Sequence, residues 1–250
     1  VLNPRQVNKF KEAYNDLPKN DSVDSFVIAD CLRFGRINKE VYIGDYRYKA
    51  LQNLTRARYF AVCNLVKEKQ RFMNVLFKKY STMTQEKVFS DTFSTTALAV
   101  YDEFESAEAL TNMDLHELTA FIMEKGKNRF PDPDSVAKAI QKAARSSYRL
   151  PKTVNDSVNQ VLSISITSMK ALESQIKEFD KAIAAQMELL PDVLTSIPGI
   201  GPVYAAGIMA EIGDINRFEN HAQLAKYAGL AWTQYQSGSF EAQTTRLIRS

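Results

Sequence analysis

Two carboxylates near the start of the chain have the spacing of a shared cation site. Asp21 and Asp24 lie three positions apart, and on a helix this spacing puts both side chains on one face. Mg²⁺ takes oxygen ligands and commonly only one or two carboxylates, with water and phosphate completing its shell. The pair therefore predicts a metal-assisted phosphoryl-transfer site. Spacing alone favours helix capping instead, with Asn20 or Asp21 as the N-cap and Asp24 stabilised by the helix dipole.

A glycine-rich turn in the last quarter of the chain has the form of a phosphate-binding backbone. Residues 194–208 read LTSIPGIGPVYAAGI, and the turn itself consists of Pro198, Gly199, Ile200 and Gly201. A glycine turn that opens a helix directs free backbone N–H groups and the positive end of the dipole at a phosphate. The pattern favours a helix–hairpin–helix that binds nucleic-acid backbone without reading sequence. A tight structural turn between packed helices is the alternative.

A polar loop after an apolar stretch contains a candidate nucleophile. Ser237 precedes Gly238, and Ser239 follows as a second serine. A serine attacks phosphate when a neighbouring group takes its proton and the developing charge is stabilised. No Ser-His-Asp arrangement accompanies it, because His221 is the only histidine nearby. From the residues alone, a simple turn is the stronger interpretation.

Composition limits the class of protein. The 250 residues are 45% hydrophobic and 24% charged, which is enough apolar material for a real core in one or two soluble domains. No apolar run reaches the roughly 20 residues of a membrane span, and no signal-peptide pattern opens the chain. Cys31 and Cys63 give neither zinc spacing nor a disulfide framework. We therefore expect a cytoplasmic protein without a membrane partner.

Positive charge is concentrated in the front of the chain. The net charge is +3, but residues 1–80 carry 16 Lys and Arg against 8 Asp and Glu, whereas residues 81–130 carry 4 against 9. Clustered cations suit phosphate contacts. The basic front is compatible with a polyanionic partner and equally with a solvated charged face.

Two long helices are expected to position these groups. Residues 46–80 and 154–190 place apolar side chains mostly at three- and four-residue steps, without internal proline or glycine, which predicts an antiparallel coiled-coil hairpin. Between them, about 81–152 reads as an insertion of short helices. A short helix is expected over about 4–15. The helix expected over about 21–34 is apolar around most of its circumference, as in a helix buried in a larger α/β body.

Together these motifs resemble the DEDD transposases of one bacterial insertion-sequence class, relatives of the pilin-gene inversion recombinase. The resemblance covers essentially the whole chain. Its more specific parts are residues 19–30 and, more strongly, residues 196–239. In the second part the glycine turn, Phe218, the Tyr-Ala-Gly-Leu stretch 227–230 and Gln-Ser-Gly at 236–238 follow in the expected order.

The resemblance implies a mostly α fold of three parts. Residues 1–45 would be the end of an RNase H-like, RuvC-type α/β domain. Residues 46–190 would be the coiled-coil hairpin with its helical insertion. Residues 191–250 would be a small helical transposase domain with the helix–hairpin–helix.

The resemblance also assigns roles to the candidate residues. Asp21 and Asp24 become the last two of four acids that hold Mg²⁺. Ser237 becomes the serine that attacks DNA and forms a covalent link to it, with Ser239 as the competitor. Acids of one subunit meeting the serine of another would make a composite site.

The partners implied are donor and target DNA, a structured non-coding guide RNA, and further copies of the chain in a dimer or tetramer. The setting implied is the bacterial cytoplasm at the nucleoid. Two other classes of function remain open. One is a non-catalytic architectural protein that binds nucleic acid, and the other is a resolvase-like nuclease that uses carboxylates and water without a serine adduct.

Some features depart from the family pattern. The first Asp and the Glu of the four-acid set are expected before Val1, the family usually continues beyond Ser250, and Ser25 stands where alanine is commoner. We therefore expect a fragment that binds nucleic acid but recombines poorly or not at all by itself.

Overall fold

The computed structural model describes residues 4–14, 17–34, 44–191, 193–232, 236–237, 240–241 and 246–247. Within these ranges the chain is mostly helical, which confirms the mostly α fold class, and its one sheet has two antiparallel strands. The chain divides into two compact units. One contains residues 1–49 and 213–250, and the other contains residues 50–212.

The described part of the chain contains eleven α-helices and two short strands. In chain order they are α1 (Pro4–Lys11), α2 (Asp21–Arg33), α3 (Tyr46–Lys79), α4 (Ser81–Gln85), α5 (Thr95–Glu103), α6 (Ala107–Asn112), α7 (Leu115–Lys125), α8 (Pro133–Arg145), α9 (Lys152–Met187), α10 (Pro202–Ile212), α11 (His221–Tyr227), β1 (Gln236–Ser237) and β2 (Phe240–Glu241). Two 3₁₀ turns, Leu194–Ser196 and Ile215–Arg217, flank α10.

The two longest helices, α3 and α9, run antiparallel. Arg58 Nε donates to Asp180 Oδ1 at 2.5 Å, and Lys69 Nζ lies 3.4 Å from Glu173 Oε1. Partner numbers on α9 fall as those on α3 rise, which fixes the relative direction. The bounds of both helices agree with the sequence prediction within a few residues, because no proline or glycine interrupts either one.

The insertion between the long helices begins its helices with capping side chains. Ser94, Ser106, Asp114 and Asp132 each accept a hydrogen bond from a backbone N–H two or three residues further on, at the starts of α5, α6, α7 and α8. Such caps satisfy N–H groups that have no partner within the helix. Four short helices are thereby given defined starts in a segment of only about seventy residues.

The insertion leaves the long-helix pair and returns to it at one place. The Ser81 hydroxyl accepts from the Tyr148 backbone N–H at 3.3 Å, and the Ser147 hydroxyl accepts from the Thr82 N–H at the same distance. These reciprocal bonds join the first residues of the insertion to its last. The base of the insertion is therefore closed.

The main core lies where the insertion packs on the long helices. Phe72, Tyr80 and Tyr101 are at most 2% exposed, and the ring centroid of Tyr101 lies 6.1 Å from those of both Phe72 and Tyr80. The surrounding apolar side chains come from α3 to α9 and the turns between them. Aromatic side chains of this size supply much of the apolar area that a small core buries.

The predicted burial of α2 was wrong. Phe26 is 57% exposed, Ile28 40% and Leu32 56%, whereas Val27 and Cys31 are buried. The described helix that packs on α2 is α1, which has eight residues. A helix of that length covers one face of α2, so the apolar residues of its other faces meet solvent.

No helix in the described ranges is both long enough and apolar enough to cross a lipid bilayer.

A buried lysine makes the stability of this core depend on pH. Lys79 is 2% exposed, its ammonium donates to the Tyr101 carbonyl oxygen at 2.8 Å, and burial lowers its pKa to about 8. An unfolded lysine titrates near its ordinary value of about 10.4. Between these values the unfolded chain binds more protons, so the free energy of unfolding should rise with pH from about 8 to about 10.

Urea unfolding followed by circular dichroism from pH 7 to pH 10 measures this rise. Lys79→Met should flatten it, whereas Lys78→Met, at an exposed position on the same helix, should leave it unchanged. An equal slope in wild type and Lys79→Met would contradict this assignment. The range stops at about pH 10 because burial also raises the pKa of Tyr80 and Tyr101, which opposes the lysine at higher pH.

Candidate functional site

The capping role at the start of α2 belongs to Asn20. Its Oδ1 accepts from the Val23 backbone N–H at 2.8 Å. Asp21, the first residue of the helix, is exposed, and its backbone oxygen accepts from the Ser25 hydroxyl at 2.7 Å. Capping of α2 is therefore accomplished by a neutral amide, and neither carboxylate of the predicted metal pair supplies the cap.

Asp24 faces a cation from another helix. Lys11, in the last turn of α1, places its Nζ 2.5 Å from Asp24 Oδ1, and the two side chains are 18% and 46% exposed. The sequence prediction missed this partner, because thirteen positions separate the two residues and only the packing of α1 on α2 brings them together. Asp24 thus presents a carboxylate oxygen to a positive charge in the described structure.

A third acid on α2 has a structural role. Asp30 is 8% exposed and accepts hydrogen bonds from the Tyr14 hydroxyl and from Arg33 Nε, the latter at 2.9 Å. The bond to this carboxylate raises the pKa of Tyr14. Because both partners already engage its oxygens, Asp30 ties the loop after α1 to α2. Its place at the end of the motif was noted in the sequence, but no role followed from it.

The described residues supply two candidate magnesium ligands. They contain no group of three or more His, Cys, Asp or Glu that could hold a metal ion. Asp21 and Asp24 nonetheless fit Mg²⁺ in kind, because it prefers oxygen ligands and takes few of them from carboxylates. Lys11 would compete with the ion for the Asp24 oxygen. Any complete site thus needs oxygen ligands beyond this pair.

The glycine turn connects the 3₁₀ turn Leu194–Ser196 to α10. Ile200 N donates to the Ile197 carbonyl at 3.0 Å, and Gly199 has a φ of +90°. Ala205 N donates to the Gly201 oxygen at 3.0 Å, so Gly201 stands at the start of α10. The N–H groups of the first helical turn have no acceptor inside the helix. The chain thus forms a turn that opens directly into a helix start.

The space around this turn is open. A Cβ atom built on Gly199, Gly201 or Gly207 would have no neighbour within 4 Å. Close packing against the described residues therefore does not require glycine at these positions. Only the positive φ of Gly199 does, because that conformation is strained for other residues. Residues 191–212 also contain no Lys or Arg, so this segment offers an anion at the turn no cationic side chain of its own.

The candidate nucleophile lies in a short hairpin. Gln236 pairs with Glu241, and Ser237 pairs with Phe240. Ser237 is therefore the last residue of β1, and the turn expected there includes Gly238 and Ser239, which lie outside the described residues. The side chain of Ser237 and the whole of Ser239 lie outside the described residues.

An arginine that lies over two contacting rings supports the segment that precedes this hairpin. The Arg217 guanidinium carbon lies 4.5 Å from the ring centroids of both Phe218 and Tyr227, and the two centroids are 5.3 Å apart. Cation–π contacts of this kind stabilise by about 0.5–2 kcal/mol. Phe218 and Tyr227 belong to the pattern quoted from the sequence, and this contact gives them a physical reason. The sequence reasoning gave no role to Arg217.

The candidate residues divide between the two compact units. Asp21, Asp24 and Ser237 belong to the unit of residues 1–49 and 213–250, whereas the glycine turn belongs to the unit of residues 50–212. The structure therefore assigns the acids and the serine to the same unit.

Comparisons with known proteins match both ends of the chain to one class. Residues 1–80 match a DEDD transposase family of the IS110 type, and residues 192–250 match the transposase family IS116/IS110/IS902. Both ends of the chain are therefore similar to transposases of the IS110/IS116 class.

Relatives carry similar names. A protein of insertion element IS116 from Streptomyces clavuligerus is 28% identical over 243 residues, which are 94% of this chain and 58% of that protein. The transposase of insertion sequence element IS1111A from Coxiella burnetii is 29% identical over 86 residues, 34% of this chain and 24% of that protein. A putative transposase, y4rJ, from Sinorhizobium fredii is 47% identical over 51 residues, 20% of this chain and 13% of its own. No solved structure matches the chain.

The two turn glycines should differ in their effect on stability. Gly199→Ala should lower the free energy of unfolding by about 1 kcal/mol, because alanine is strained at positive φ. Gly201→Ala should change it by less than about 0.5 kcal/mol, since neither φ nor a neighbouring atom opposes a methyl group there. Urea unfolding of the two variants measures the difference. A larger loss in Gly201→Ala than in Gly199→Ala would show that the turn is differently packed.

Proposed function

We propose that this chain acts in DNA transposition, with Ser237 as the nucleophile that becomes covalently joined to DNA. The observation that carries the proposal is that one chain matches a DEDD transposase family at its front and the IS116/IS110/IS902 family at its end. The chain spans 58% of the IS116 protein's length. The activity is therefore proposed for the natural protein that contains these residues.

The reaction at the serine conserves the number of phosphate bonds. Ser237 Oγ loses its proton and bonds to phosphorus, while the bond from phosphorus to the departing strand's oxygen breaks and that oxygen takes a proton. Attack by a hydroxyl of another DNA end then releases the serine. The pairing of Ser237 with Phe240 supports this role, because antiparallel pairing holds the backbone of the serine in a defined position.

Asp21 and Asp24 are proposed to hold Mg²⁺ near the scissile phosphate. Bound there, the ion would neutralise charge on the phosphate oxygens. Lys11, whose Nζ lies 2.5 Å from Asp24 Oδ1, would have to release that oxygen to the ion, and Asn20 sets the start of the helix that carries both acids. Acids from one subunit are proposed to serve the serine of another.

The glycine turn is proposed to bind a backbone phosphate. In support, Gly199 and Gly201 border open space, and the start of α10 offers unpaired N–H groups. The absence of Lys and Arg in residues 191–212 makes this a contact through hydrogen bonds and the helix dipole. It should therefore add little to the salt dependence of binding.

Guide RNA and further copies of the chain are the other proposed partners. Basic side chains in the first 80 residues outnumber acidic ones two to one, which supports a polyanionic partner. Large apolar side chains on the long helices are exposed, among them Tyr59 at 64%, Phe60 at 62% and Ile164 at 60%. Exposed apolar patches of this kind support association between copies.

The serine role is tested by looking for a protein–DNA adduct. The natural protein is incubated with Mg²⁺, a candidate guide RNA and labelled donor and target DNA, and the products are separated on a denaturing gel. An adduct that mass spectrometry maps to Ser237 is expected. Ser237→Ala should abolish it, Ser239→Ala should retain it, and Asp24→Asn should reduce it at least about hundredfold.

Other outcomes of this experiment assign the other classes of function. Cut DNA without an adduct, at unchanged rate in Ser237→Ala, would identify a nuclease that uses water. Binding without cutting or an adduct would favour an architectural protein. An adduct lost only in Ser239→Ala would move the nucleophile by two positions.

The phosphate contact has a separate test. Gly201→Ala should weaken DNA binding at least about tenfold in a fluorescence anisotropy titration, because a methyl group would occupy the space that a phosphate needs. Gly207→Ala is the matched control, since it adds a methyl group to the same helix in equally open space. Equal affinity in both variants would remove the turn from the binding surface.

A further inference from the structure

A cavity of about 520 Å³ lies in the helical insertion. Its wall is formed by the turn before α5, the first residues of α5, the loop after α7 and the start of α8. Cavities of roughly 300–1,000 Å³ are the size class that holds small ligands. The cavity lies within one compact unit and includes none of the residues assigned to the proposed reaction.

The cavity is lined by cations, although the segment of the chain that forms most of its wall is acidic. Residues 81–130 contain 4 Lys and Arg against 9 Asp and Glu. Three of those four cations, Lys125, Lys127 and Arg129, line the cavity, and no Asp or Glu does. If the lining had the average composition of residues 81–130, acidic side chains would outnumber basic ones in it. The lining therefore favours an anionic ligand.

The three cations are not equally committed to other contacts. Lys125 Nζ lies 3.2 Å from Glu124 Oε1 and 5.3 Å from the Phe121 ring centroid. Lys127 and Arg129 are exposed and have no ion pair within the described part of the chain. These two are therefore the cations available to a ligand.

Hydroxyl groups line the same cavity. Ser94 caps α5, and Thr95 and Thr96 follow in its first turn. Thr96 is 5% exposed, lines the cavity, and its hydroxyl donates to and accepts from no group in the described ranges. A ligand oxygen in the cavity would give this hydroxyl a hydrogen-bond partner. The N–H groups that open α5 carry partial positive charge at the end of the helix that these residues begin.

The loop after α7 is fixed in an uncommon conformation that carries two of the cations. Lys127 and Asn128 have φ values of +52° and +55°. A Cβ on Gly126 would come within 2.5 Å of the Phe130 ring, so Phe130 packs directly over the glycine. The contact between Phe130 and Gly126 therefore holds the backbone of residues 126–130, which carries Lys127 and Arg129 at the cavity.

The wall is also partly apolar. Phe89, Phe130, Val88 and Val136 form this part. A phosphate ion alone would leave most of about 520 Å³ unfilled. A phosphate joined to a planar base and a sugar would use the apolar wall as well as the cations, because bases stack on aromatic rings.

We propose that this cavity is a nucleotide-binding site, with Lys127, Arg129 and Thr96 at the phosphate and Phe89 and Phe130 near the base. The nucleotide is either a unit of a single strand or a free monophosphate. This site is independent of the proposed chemistry at Ser237.

Calorimetric titration of the chain with adenosine monophosphate tests the proposal. Binding with a Kd below about 1 mM is expected, and adenosine without its phosphate should bind at least about tenfold more weakly. The Lys127→Ala/Arg129→Ala variant should lose at least about tenfold in affinity for the monophosphate. The control, Lys138→Ala/Lys142→Ala, removes the same charge from exposed positions on α8 outside the cavity and should stay within about twofold.

A second variant reports on the Thr96 hydroxyl. Thr96→Val keeps the shape of the side chain and should weaken monophosphate binding at least about threefold. The thermal unfolding temperature of this variant should not fall, because the Thr96 hydroxyl has no hydrogen bond to lose in the described structure. Folding is thereby separated from binding.

The source of the nucleotide is distinguished by competition with a single-stranded RNA decamer. Displacement of the monophosphate by the decamer would assign the site to a strand, and failure to displace it would assign the site to free nucleotide. No binding of the monophosphate up to about 5 mM would overturn the proposal, as would equal losses in the cavity and control variants. None of these measurements involves DNA cleavage, so their failure would leave the proposed function untouched.

Discussion

The antiparallel pairing of the two long helices is the constraint on which the unit of residues 50–212 depends. The helices of the insertion have between five and thirteen residues, and helices of that length are marginal in water when isolated. They persist because their apolar faces pack on α3 and α9 around Phe72, Tyr80 and Tyr101. Once this core forms, the caps at Ser94, Ser106, Asp114 and Asp132 refine where each helix begins and contribute about 1 kcal/mol each.

Much of this architecture could be predicted from the sequence because it is encoded locally. The three- and four-residue apolar repeats gave both long helices nearly to their ends, and Asn20 was one of two caps considered for α2. The burial expected for α2 was wrong, since periodicity reports which residues are apolar and cannot report what covers them. The domain division and the site assignments remain predictions that the described structure does not test.

Contacts between elements were beyond the reach of the sequence. The pairing of Lys11 with Asp24 and the convergence of Lys127 and Arg129 with Thr96 each join segments whose separation along the chain carries no regular signal. Charge counts even pointed away from the cavity, because residues 81–130 are acidic on average. The same limit applies to the proposed chemistry. Family resemblance assigns a role to Ser237, and the pairing of β1 with β2 fixes its backbone. Only a reaction product can show that this serine and the acids of α2 act in one reaction.

The closed base of the insertion has an evolutionary consequence. Because Ser81 and Thr82 are hydrogen-bonded to Tyr148 and Ser147, the insertion leaves the pair of long helices and returns to it at one place. A change in the length or sequence of the chain between residues 82 and 147 need not shift the register of α3 against α9. The insertion can therefore diverge in sequence while the α3–α9 pair stays constant. Related proteins can then acquire different ligand preferences in the insertion without changes at either end of the chain.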